Sequence, residues 1–132
     1  MKYLFMIYGD QSTFAEFTPE EQREGMKLWD AFTQDAIDSG VHLGGEGLQP
    51  SATATTLRAQ ESGDRLVTDG PFAETKEQLA GYYLLDCRDL DDAIAWGKKV
   101  PVGEAMSVEI RPVMDYETVG SDVHTSGEVQ AS

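Results

Sequence analysis

The chain has 132 residues, 40% of them hydrophobic and 26% charged, which suits one globular domain with one core and excludes wholesale disorder. Its 24 acidic and 10 basic residues leave a net charge of −14. A surface that negative repels phosphate backbones and anionic headgroups, so it argues against nucleic-acid and membrane partners.

Residues 2–8 read as a strand, an apolar run that ends at the turn pair Gly9-Asp10. The run is far shorter than the ~20 residues a membrane helix needs, and no small-residue cleavage site follows it. Tyr3, Phe5 and Ile7 alternate with Leu4, Met6 and Tyr8, so both faces are apolar and both are expected to be covered. Thr18-Pro19-Glu20-Glu21 then opens a helix with a hydroxyl cap, a proline at the first helical position and a glutamate three residues after the cap. Met26, Trp29, Phe32, Thr33, Ala36 and Ile37 recur at three- and four-residue intervals as its inner stripe, and Gly40 supplies the stop.

Residues 41–48 form a second strand, where Gly44, Gly45 and Gly47 imply a bulge or the close approach of another backbone. Residues 53–59 and 65–68 read as a hairpin around Glu61-Ser-Gly-Asp64. Asp69-Gly70-Pro71-Phe72 is a tight turn: aspartate can bond the backbone two residues on, glycine tolerates positive φ, and proline fixes the next φ. Residues 79–87 make a strand that is again apolar on both faces. It ends at Cys87, the only cysteine, so no intrachain disulfide can form and the reducing cytoplasm is the expected location. Asp89 caps a second helix lined by Leu90, Ala93, Ile94 and Gly97, which stops at Pro101. Residues 106–113 alternate as a last strand, with Met106, Val108 and Ile110 opposite Ser107, Glu109 and Arg111. Residues 1–113 therefore form the domain, and residues 114–132, with four acidic residues and no lysine or arginine, read as a polar acidic tail.

Strand, helix, strand, hairpin, strand, helix, strand describes an α+β, ferredoxin-like antiparallel sheet with two helices on one face. The opposite face, carrying Leu4 or its neighbours and either Tyr82 or Tyr83, lacks a cover within the chain. A twofold partner is the simplest cover, giving a homodimer whose sheets pack as a dimeric α/β barrel.

The stretch from Val67 to Asp86, which contains Asp69-Gly70-Pro71-Phe72-Ala73-Glu74-Thr75-Lys76-Glu77, resembles the DGPF subgroup of the YCII-related family. So do the opening Tyr3 to Asp10, the Gly44 to Pro50 turn, the run from Arg88 to Ala93 and the closing Ser107 to Val113. The resemblance implies the same dimeric barrel. It also implies, for some members, acid–base work by a His and Asp pair with the histidine on the first helix. The helix beginning at Pro19 holds no histidine, so that pair cannot form here in the family's manner.

His42 is the one histidine inside the domain, His124 lying in the tail, and it can shuttle protons only if Asp69, Glu46 or Glu109 reaches it. Asp69 and His42 are thus the catalytic candidates. For ligand binding, the Arg111 guanidinium can hold a carboxylate in two parallel hydrogen bonds, with Glu109, Lys76, Tyr82 and Tyr83 as further candidates. Cys87 and the two histidines lack metal-ligand spacing, and neither a nucleophilic triad nor a phosphate-binding glycine loop is present, so no metal or cofactor is expected. The expected function is a module that binds a small molecule or a protein in a cleft of the dimer. The alternative is a cofactor-independent enzyme working by proton transfer or elimination.

Overall fold

Thr18 makes the predicted capping box with Glu21: its hydroxyl accepts from the Glu21 N–H at 3.1 Å while the Glu21 carboxylate accepts from the Thr18 N–H at 2.8 Å. In the computed structural model, which describes residues 1–123, this box starts α2 (Pro19–Asp38). The His124 position and the end of the tail lie outside the described residues. The strands are β1 (Lys2–Asp10), β2 (His42–Gly47), β3 (Thr55–Ala59), β4 (Arg65–Asp69), β5 (Glu77–Asp86) and β6 (Met106–Pro112). The other helices are the one-turn α1 (Gln11–Phe14) and α3 (Leu90–Gly97). Among the described residues there are thus three α-helices where two were expected, because α1 is too short to show a periodicity.

One four-stranded sheet runs β2-β5-β1-β6, with every neighbouring pair antiparallel. β5 separates β1 from β2, and β1 separates β5 from β6, so the two β-α-β units interleave. β3 and β4 form a separate two-stranded hairpin. The sheet is open at β2 and β6, and the chain does not close a barrel by itself.

The core lies on one face of the sheet. Tyr3, Phe5 and Ile7 of β1 and Leu85 of β5 pack with Phe32 and Ala36 of α2 and with Ala93 and Trp96 of α3. Burying apolar side chains of this size stabilises by about 1.5–3 kcal/mol each. Two helix stripes differ from expectation. Met26 and Ile37 are exposed, and α3 buries Trp96 while Leu90 and Ile94 stay largely outside. The Trp96 ring is closed off by Phe32 at 6.1 Å and by the Lys99 ammonium at 4.4 Å.

The other face was expected to be covered as fully. In the protomer, Leu4, Met6, Tyr8, Tyr82 and Leu84 are only half-buried. Register places Arg111 opposite Leu4, Glu109 opposite Met6, and Glu46 opposite Tyr82, so this face is an apolar centre with charges on its two edge strands. The expected irregularity in β2 falls between His42 and Gly44. At Gly45 a Cβ would stand 2.7 Å from the Tyr82 carbonyl, so β2 can approach β5 there only with glycine.

Candidate functional site

Three loop segments converge where β1 ends and β5 begins. The first is α1. Asp10 caps it, its Oδ1 accepting from the Ser12 N–H at 3.0 Å and the Ser12 hydroxyl at 2.6 Å. Phe14 lies over Gly9 so closely that a Cβ there would collide with the ring, and glycine is what lets α1 fold back on β1. The second segment is a single 3-10 turn, Ser51–Thr53. Gln11 ties it to α1, since its Oε1 accepts from the Ser51 N–H at 2.9 Å and the Ser51 hydroxyl at 2.8 Å.

The third segment is the Asp69 to Phe72 turn and the residues that lead into β5. Gly70 has φ of +104°, as its place in the turn requires. The bond expected from Asp69 to the backbone two residues on does not form, because Pro71 has no N–H to give. Thr56 does that work from the hairpin, its hydroxyl donating to the Gly70 carbonyl at 2.8 Å while the Gly70 N–H donates to the Ala54 carbonyl at 2.7 Å. Arg58 lies 5.0 Å over the Phe72 ring and donates to its carbonyl at 3.0 Å. Gln78 closes the loop by donating from Nε2 to the carbonyls of Ala73 at 3.0 Å and Thr75 at 2.9 Å.

These segments enclose a polar cleft of about 430 Å³, with Asp10, Gln11, Ser12, Ser51, Lys76 and Gln78 among its walls. A second cleft of about 590 Å³ adjoins it and shares Ser51, Pro71, Thr75 and Gln78. It is more apolar, lined by Tyr8, Leu48, Leu79 and Phe72, and lies between the end of the open sheet face and the hairpin. Both volumes fall within the range of roughly 300–1,000 Å³ that small-molecule sites occupy. In the polar cleft the Asp10 carboxyl is held below the usual carboxylate range, first by the Ser12 hydroxyl and N–H and then by the field of Lys76. It is therefore a fixed anion at neutral pH.

Of the residues singled out from sequence, Lys76 lines the polar cleft. Tyr82 lies on the open face of the sheet opposite Glu46. Tyr83 faces the helices, where its ring meets Phe32 edge-on at 5.0 Å, stacks on Trp29 at 6.4 Å and meets His42 edge-on at 6.2 Å. His42 therefore stands on the helix side of the sheet, away from Glu46 and Glu109 on the open face. Asp69 is exposed at the end of β4, and neither Asp69 nor His42 lines either cleft. Arg111 pairs with Glu109 on its own strand, and that partner raises the guanidinium pKa further. Cys87 is buried, with its thiol pushed up to about 11 by burial and then by the charges of Asp92 and Asp86.

Sequence reasoning missed Asp10, Gln11, Ser51 and Gln78. Asp10-Gln-Ser12 does carry a cap signal, aspartate followed two residues later by a donor, but it reads equally as the turn ending a strand. The two glutamines carry no local signal, because their roles depend on contacts made across 40 residues or inside a loop.

The profile of the YCII-related domain matches residues 1–117. An uncharacterised protein of Rhizobium meliloti (strain 1021) is 35% identical over 119 residues, which cover 89% of this chain and 95% of that protein.

Proposed function

The chain belongs to the YCII-related family, and we propose that it is a DGPF-type member that binds a small molecule as a homodimer. The observation that carries this reading is the polar cleft: the Asp69 to Phe72 turn, α1 and the Ser51 turn are braced by side-chain hydrogen bonds around a space large enough for a ligand. The braces favour binding because they fix the polar groups before a ligand arrives, which lowers the ordering cost of association.

The homodimer is supported by the open sheet face. Its centre of Leu4, Met6, Tyr82 and Leu84 is apolar and only half-buried in the protomer, the kind of surface a partner covers. A twofold axis brings this face of one copy against the same face of its partner, so each contact is made twice. The sheet order β2-β5-β1-β6 is that of a ferredoxin-like domain, and two such sheets face to face make a dimeric α/β barrel. The single reduced cysteine favours a cytoplasmic location, and among the described residues no helix is long and apolar enough to cross a membrane.

Native mass spectrometry of protein purified from its source tests both parts. The expected result is a dimer with retained small-molecule mass. A ligand-free monomer at micromolar concentration overturns the reading.

A further inference from the structure

In the polar cleft the uncommitted valences of four side chains can be assigned. The Asp10 Oδ1 is occupied by Ser12 and the Thr13 N–H adds a weaker pull on the same carboxylate, which still leaves it acceptor capacity toward the cleft. The Gln11 Oε1 accepts from the Ser51 backbone N–H, a group that can only donate, so the amide orientation is fixed and Nε2 is the free end. The Gln78 Nε2 donates to two carbonyls, which can only accept, so Oε1 is its free end. Lys76 has neither a hydrogen bond nor an ion pair among the described residues, although its field reaches Asp10. The cleft thus presents two carboxylates, Asp10 and Glu74, with one neutral acceptor, and one cation with one neutral donor.

Asp10 and Lys76 share this cleft without forming an ion pair. A simple anion entering it meets Asp10 and Glu74, and a simple cation meets Lys76. Only a ligand with both charges satisfies both sides. We propose that the cleft takes a small zwitterion of the α-amino-acid type, its ammonium held by Asp10 and the Gln78 Oε1, its carboxylate by Lys76 and the Gln11 Nε2. This rests on the reading of the cleft as a ligand site.

The test is a titration of the full chain, followed by amide chemical shifts and calorimetry, with L-alanine, L-leucine and L-glutamate. N-acetyl-L-leucine, which lacks the ammonium, and L-leucine methyl ester, which lacks the carboxylate, serve as comparisons. At least one free amino acid is expected to shift the Ser12, Ser51 and Lys76 amides saturably. Each blocked form is expected to bind at least about tenfold more weakly than leucine, the loss of one charge-assisted contact. Asp10→Asn, which keeps the cap of α1, and Lys76→Met are each expected to weaken amino-acid binding by a similar factor. Equal affinity of the blocked and free forms overturns the proposal. If a fragment library shifts these amides and no amino acid does, the zwitterion is wrong and the ligand site stands. If neither does, both are wrong.

Discussion

The Tyr83 hydroxyl lies 2.7 Å from the Thr33 hydroxyl, and Thr33 spends its only hydrogen on the Trp29 carbonyl at 2.9 Å. Tyr83 is therefore the donor, and this bond ties β5 to α2 beneath the Trp29 and Phe32 rings. Tyr83→Phe removes the bond and leaves the ring, so it is expected to cost about 0.5–1.5 kcal/mol. Tyr83→Ala also empties the space between three aromatic neighbours and is expected to cost about 3–5 kcal/mol. Urea denaturation checks both. Equal costs for the two variants would show that the ring adds nothing beyond its hydroxyl.

Tyr82 is the contrasting neighbour, one residue away and on the opposite face. Tyr82→Ala is expected to leave protomer melting nearly unchanged and to shift the dimer toward monomer on dilution. Light scattering across a concentration series reads this. A loss of protomer stability matching that of Tyr83→Ala, with the mass unaltered, contradicts the two-faced burial of the sheet.

The Asp69 to Phe72 turn gives a second paired prediction, since Thr56, rather than Asp69, holds it. Thr56→Val is expected to lose about 1 kcal/mol with its hydroxyl bond. Asp69→Ala, at an exposed position whose side chain makes no hydrogen bond among the described residues, is expected to stay within about 0.5 kcal/mol. The reverse order in thermal melts would restore the Asp69 side chain as the brace.

The outline of the fold was legible because it rests on local chemistry. The Thr18 and Glu21 box, the β1 alternation and the Asp89 cap each act within four residues of themselves, and each appears where the sequence puts it. Which helix residues enter the core was less legible. Trp96 displaces Ile94 because the position depends on Phe32 arriving from another helix. The cleft was the least legible of all. Gln11 reaches Ser51 only after α1 has folded back over Gly9, and no spacing in the chain encodes that contact.

Cys87 makes stability depend on alkaline pH. Its folded-state pKa, about 11, lies above the usual 9.0, so as pH rises past 9.0 the unfolded chain loses its thiol proton first and is favoured. The thiol's contribution is complete below 9.0 and falls as pH climbs toward about 11, by at most roughly 2–3 kcal/mol. Cys87→Ala should remove that part of the alkaline loss. Parallel urea titrations of the two proteins at pH 8 and pH 10.5 measure it, and identical slopes against pH would show that the thiol is not protected by the fold.

The strand order also has a consequence in time. β1 is made first, yet both strands that pair with it, β5 and β6, lie beyond residue 76. While the chain is being synthesised, only the β3 and β4 hairpin can close locally, and β1 and β2 wait with unpaired edges and apolar side chains exposed. Once β5 emerges it pairs with both at once, and β6 completes the sheet later on the other side of β1. A nascent chain stalled before Glu77 is therefore an aggregation hazard, and it should become resistant to protease only after β5 has cleared the ribosome.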